Sequence, residues 1–274
     1  MSLTALVIVL VAATLHATWN LFLAAAPYTQ AATGVALSAG VLVALPFAIL
    51  RWHVEPAAWP CIAASSVLEL TYFWLLTTAY ARAEMSLVYP IARGMAPVIV
   101  LLVSVLVLGA ATSILQVCGV ALVGVGVILV RGLHGAARWA DVALALLVAS
   151  AIAGYTLVDK QGIQYADPVT YVTLILIMPA IVATAAVYLR SGRARVVAAI
   201  RPKTALAGVA SLAAYGLVLV ALSFSPAASV AAVREVGVVI ATAFAAFVLH
   251  ERVGPSRWIG SIATVGGIAL VVAA

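Results

Sequence analysis

Residues 86–97 read SLVYPIARGMAP, and the stretch that follows, VIVLLVSVLVL (98–108), carries no charge. Arg93 therefore stands inside a segment long and apolar enough to cross hydrocarbon as a helix, which takes roughly 20 residues. A water-soluble protein would carry such an arginine on its surface. The rest of the chain excludes that setting. Of 274 residues, 66% are hydrophobic and 8% charged, and the mean hydropathy is +1.25, whereas soluble domains are roughly one-quarter charged. In lipid every backbone amide must be satisfied internally, which leaves helices or a closed barrel. Runs such as VALSAGVLVALPFAIL (35–50) do not alternate as barrel strands do. The fold class is all-α, a polytopic membrane protein.

Apolar runs between charges and turn formers predict ten spans, at 3–24, 31–50, 58–80, 86–108, 112–130, 141–159, 168–189, 204–223, 227–249 and 256–273. The chain also repeats. A shift of 141 residues lays Arg93 on Arg234, Leu108 on Leu249, Gly119 on Gly260 and Gly126 on Gly267; a shift of 136 lays Trp19-Asn20 on Tyr155-Thr156. Two five-helix halves follow, 1–132 and 133–274. Five is odd, so the second half enters from the opposite side: an inverted repeat, the build of many secondary transporters. The glycines of the fifth and tenth spans (Gly119, Gly124, Gly126, Gly260, Gly266, Gly267) allow close backbone approach, a scaffold role.

The net charge of +6 is not a nucleic-acid signature, because the basic residues gather at helix ends. Arg82, Arg131, Arg138, Arg190, Arg193, Arg195, Arg201, Lys203, Arg252 and Arg257 lie on one face, Arg51 and Lys160 on the other. The positive-inside rule makes the first group cytoplasmic and both termini periplasmic. Met1–Phe22 has no basic leader before its apolar core, so it reads as a retained span. Cys61 and Cys118 lie in apolar segments and read as packing residues.

Four stretches, HATWN (16–20), Tyr80 through SLVYPIARGMAP, GYTLVDK (154–160) and LHERVGPSRWIG (249–260), resemble the EamA-type members of the drug/metabolite transporter superfamily. The resemblance covers nearly the whole chain and implies a multi-pass carrier. It is greatest to bacterial amino-acid exporters, which implies the bacterial inner membrane. Members move amino acids, purines, nucleotide-sugars or organic cations. The chain departs from the family pattern where many members carry a lysine five residues after Trp19: it has Ala24 there, although Lys160 stands at the second-half counterpart. Ala110 likewise stands opposite Glu251.

Helical spacing selects the candidate site. His16 and Asn20 share a face with Trp19 adjacent. Glu69, Tyr72 and Tyr80 form a stripe on the third span, and Tyr89 and Arg93 form one on the fourth. Tyr155 and Asp159 share a face beside Lys160; Tyr215, Arg234 and Glu235 lie inside later spans. A charge near the bilayer centre costs roughly 2.5–3.5 kcal/mol, so it faces a cavity or a partner. For Arg93 the two readings are a substrate-carboxylate ligand and a fixed pair with Glu69. Arg234 and Glu235 pair with neighbours or line the site; Lys160 snorkels to the interface or lines it; His16 is a core histidine or lines the pore. The aromatics Tyr72, Trp74, Tyr80, Tyr89, Tyr155 and Tyr215 wall a cavity or pack, since a buried phenol needs a partner. Trp52, Trp59, Trp139, Trp258 and Tyr188 read as interfacial belt residues.

An enzyme would need a nucleophile with a base, or a metal set. His250-Glu251 begins like HExxH, but Gly254 replaces the second histidine, and no GxSxG or Walker sequence occurs. No cofactor, metal or nucleic-acid partner is expected, and no selectivity motif or charge ring marks a channel. The expected function is a secondary transporter, an exporter or facilitator of zwitterionic metabolites, amino acids first. Other small metabolites (phosphonates, sugar phosphates, purines, organic cations) are the alternative. The duplication supplies both halves, so a monomer suffices.

Overall fold

The computed structural model describes residues 1–24, 26, 28–82, 85–131, 138–240 and 254–274; the side chains of Asn20, Tyr80 and Tyr89, and residue Glu251, lie outside what it describes. The described residues form helices α1 (Leu3–Ala24), α2 (Thr29–Leu50), α3 (Ala58–Arg82), α4 (Met85–Leu106), α5 (Ile114–Arg131), α6 (Trp139–Gly162), α7 (Pro168–Ser191), α8 (Arg193–Ala199), α9 (Pro202–Phe224), α10 (Ala227–Arg234) and α11 (Pro255–Ala273). Five of them are long and apolar enough to cross a membrane, and four shorter apolar helices accompany them. The five long spans bury only 22–44% of their most apolar window inside the protein. Leu42, Phe47, Leu50, Leu106, Ile181 and Leu189 are exposed. Only lipid makes so much exposed apolar surface stable.

Two features differ from the ten-span expectation. The basic 190–203 connection holds an additional short helix, α8. The span expected at 227–249 is interrupted at Glu235, which is the C-cap of α10; helix resumes over 236–240 and the remainder, 241–253, is outside the described residues. At the interruption Glu235 N–H bonds to Ala232 O (3.1 Å) and Val238 N–H to Glu235 O (3.0 Å), both short-range bonds that tighten the turn. Pro97 does not break α4, which is continuous from Met85 to Leu106.

The chain gathers into two compact units, residues 1–10, 71–157 and 224–274 in one, 11–70 and 158–223 in the other. In the first, α4 and α11 pack on α5, and α10 packs on α4, α5 and α11. In the second, α2 packs on α7 and α8. Local chemistry starts α7: the Asp167 carboxylate accepts from Val169 N–H (2.9 Å) and Thr170 N–H (3.2 Å), and Pro168 occupies the first turn, where no N–H is needed. The segments before α3 and α7 are joined by a small antiparallel bridge, Glu55 N–H to Tyr165 O and Asp167 N–H to His53 O, both 2.9 Å.

Glycines set the tightest contacts. A β-carbon at Gly267 would meet Gly119 O at 2.6 Å and Val123 N at 2.7 Å; one at Gly126 would meet Gly260 O at 2.7 Å. Thus α5 and α11 touch backbone to backbone, as the repeat-related glycines predict. Gly266 is the exception, with only Leu122 at 3.7 Å. Gly267→Ala is therefore expected to lower stability by about 1–3 kcal/mol, while Gly266→Ala leaves it within about 0.5 kcal/mol. Thermal melting of the two purified variants checks this, and equal melting temperatures would refute backbone contact.

Candidate functional site: buried charges inside the helices

In the first unit, Arg93 is delivered by α4, which is pinned against α5 at the next residue. A β-carbon at Gly94 would lie 2.8 Å from Gly124 O, and one at Gly124 would lie 2.9 Å from Gly94 O. The Arg93 guanidinium pairs with the Glu235 carboxylate, Nη1 to Oε1 3.6 Å, with side chains 11% and 4% exposed. That separation is an ion pair rather than a close charge-assisted hydrogen bond, which would span about 2.7–2.9 Å. Glu235 feels both Arg93 and Arg234. Arg234 donates from Nη2 to the Tyr155 hydroxyl over 3.5 Å. The Tyr155 ring meets Tyr72 edge-on, centroids 6.1 Å apart at 76°. Arg93, Glu235, Arg234, Tyr155 and Tyr72 thus form one chain of contacts. Its parts come from α3 and α4 in the first half of the sequence and from α6 and α10 in the second.

The interruption at Glu235 bears on this chemistry. A helix end leaves backbone groups without intrahelical partners, and here it places a carboxylate and two guanidinia at the same level. Gln116 ties α10 to α5 nearby in sequence, donating to Ser229 Oγ (3.0 Å) and accepting from Thr112 (2.9 Å).

The second unit holds a different buried charge. Asp159, fully buried, accepts hydrogen bonds from the Tyr171 hydroxyl (3.0 Å) and the Tyr215 hydroxyl. Tyr171 is itself wholly buried and packs against Gly162. Sequence reasoning selected Tyr215 but missed Tyr171. The signal was present: a phenol one turn inside an apolar span needs an acceptor, and Asp159 is the preceding acid able to serve in the adjoining helix.

Lys160 has a distinct task. Its Nζ donates to Leu222 O at 2.6 Å, in the last turn of α9. The residue four further on is Pro226, which has no N–H to offer that carbonyl. A lysine there also meets the negative end of the helix dipole. Lys160 thereby ties the end of α6 to the last turn of α9. His16 and Trp19 stack edge-on, centroids 5.0 Å apart, and Trp19 packs against Ala32, Ala36 and Ala207. Glu69 is buried on α3. Trp74 is 65% exposed and packs against little of the protein. Among the described residues no group of three or more His, Cys, Asp or Glu could hold a metal ion.

No curated protein matches the sequence. The chain is similar in fold to a solved structure titled "Crystal structure of protein", with a TM-score of 0.77 and 16% identity over 98% of this chain and 96% of that one. The model of the EamA-like transporter family matches twice, over residues 3–132 and 139–273. With its apolar helices and this double match, the chain is a multi-pass membrane protein of the EamA-like transporter family.

Proposed function

We propose that the protein is a secondary carrier of small zwitterionic metabolites, chiefly amino acids, working by alternating access between its two repeats. The observation that supports this is the buried Arg93–Glu235 pair with Arg234 and Tyr155 beside it. A site with charges of both signs and phenol walls suits a substrate with a carboxylate, an ammonium and a modest side chain. Arginine suits the carboxylate end because it stays charged and can grip bidentately. The family match supports transport, and the reading is transport without chemistry. The carrier sits in the bacterial inner membrane with both termini periplasmic, as the ten basic residues on one face against two on the other indicate. A single chain is the working unit, and the direction is export or facilitated diffusion.

The surplus of guanidinia over carboxylates around Glu235 supports a second reading, a carrier of organic anions or phosphorylated compounds. One experiment separates the two. Purified protein in proteoliposomes is given a panel of radiolabelled amino acids and of phosphorylated metabolites at two pH values. Several amino acids should equilibrate faster than in empty vesicles. Movement of phosphorylated compounds alone would replace the first reading by the second.

A further inference from the structure

Between the spans of α7 and α9 the chain does not turn directly. Gly192, at φ 78°, ends α7 by donating to Tyr188 O, and α8 then packs on α7 and α2. Because residues 190–203 join two apolar spans, they lie where hydrocarbon gives way to headgroups. Their exposed side chains are of two kinds. Arg190, Arg193, Arg195, Arg201 and Lys203 are exposed, and no acid occurs anywhere from 168 to 234. Interleaved with them are Leu189, Val197 and Ile200, 81%, 52% and 65% exposed. Water suits the first set and not the second; the boundary of an anionic leaflet suits both. α8 is anchored from within by Ala199, buried at 6% exposure.

Two of the arginines are also held in position. The Arg195 guanidinium lies 5.6 Å over the Tyr28 ring and donates from Nη1 to Ser191 Oγ at 3.4 Å. Arg201 donates from Nε to Ala198 O at 3.2 Å. Each keeps further N–H donors of its planar fork for an anion. We propose that α8 and its flanks bind the headgroups of anionic phospholipids, with Arg193, Arg195 and Arg201 on the phosphates and Leu189, Val197 and Ile200 in the acyl boundary. The site is independent of the transport reading and of which face of the membrane it occupies.

The test follows melting of the purified full chain in detergent as phosphatidylglycerol, phosphatidylcholine or inorganic phosphate is added. Phosphatidylglycerol should raise the melting temperature, and about 0.5 M salt should remove most of the rise. Phosphatidylcholine and free phosphate should do little. A basic residue near an anionic surface contributes about a fivefold factor, so Arg193→Gln/Arg195→Gln/Arg201→Gln should weaken phosphatidylglycerol on the order of a hundredfold. The corresponding triple lysine variant should retain most of the affinity. Equal stabilisation by phosphatidylcholine, full reproduction by inorganic phosphate, or undiminished affinity in the glutamine variant overturns the site. Should the glutamine variant not fold, the salt and phosphatidylcholine arms on the unmodified protein decide, with the lysine variant required to respond as the parent does.

Discussion

On the proposed carrier reading, Arg93→Gln is expected to reduce flux to about one-hundredth of the parent rate or less, because it would remove the guanidinium proposed to meet the substrate carboxylate; each charged hydrogen bond of such a fork contributes about 1.5–3 kcal/mol. Arg93→Lys keeps the charge and loses the fork, so an intermediate loss is expected, on the order of tenfold. Folding must be separated from transport here, since breaking a buried pair costs about 3–5 kcal/mol by stranding the other charge. Glu235 is the stranded partner, 3.6 Å away. The double variant Arg93→Gln/Glu235→Gln removes both members of the pair, leaves Arg234 with its Tyr155 contact, and should melt above either single variant. If Arg93 contacts substrate, the double variant is stable and still inactive. Recovery of flux together with stability would show that the pair is structural and that the substrate contact lies elsewhere. Melting and flux of the two single variants and the double decide between these.

The largest effect on stability is expected at Asp159. Asp159→Ala removes the carboxylate that accepts from the Tyr171 and Tyr215 hydroxyls. An orphaned buried hydroxyl costs about 1–3 kcal/mol. The Tyr171 hydroxyl is the wholly buried one, and its loss is a sizeable share of a typical stability of about 5–15 kcal/mol. The folded yield of Asp159→Ala should fall severely, while Asp159→Asn, which keeps one carbonyl acceptor, should fall less. Adding Tyr171→Phe to Asp159→Ala removes one orphan and should restore part of the loss, a coupling that a double-mutant cycle reads directly. Parent-like melting of Asp159→Ala would mean that the carboxylate holds neither phenol in place.

How much of this was legible in the sequence depends on the range of the interaction. The helices follow from local hydropathy, and the α5–α11 contact follows from glycines that recur under a 141-residue shift. Arg93, Arg234 and Glu235 announce themselves because a charge inside an apolar run has no bland solvent. Their partners do not. Helical spacing offers Glu69 as a counter-ion for Arg93, and finding Glu235 requires knowing which helices adjoin. The structure seats α10 on α4 and brings the Glu235 carboxylate to Arg93. Tyr171 and α8 were overlooked for a related reason. One is a polar atom hidden in an apolar span, and the other is seven residues of modest helix former amid charges that read as a loop.

The bond from Lys160 to Leu222 O explains an asymmetry between the two halves of the gene product. Under the 136-residue shift Lys160 lies over Ala24, and under the 141-residue shift Pro226 lies over Met85. Methionine carries an amide hydrogen and proline does not, so the two halves differ in sequence at both positions. Duplicated halves are free to diverge in pairs: where proline removes a backbone donor, a carbonyl is left for a lysine from another helix to meet. The lysine of the second half holds the end of α9, and the first half carries alanine at the matching position.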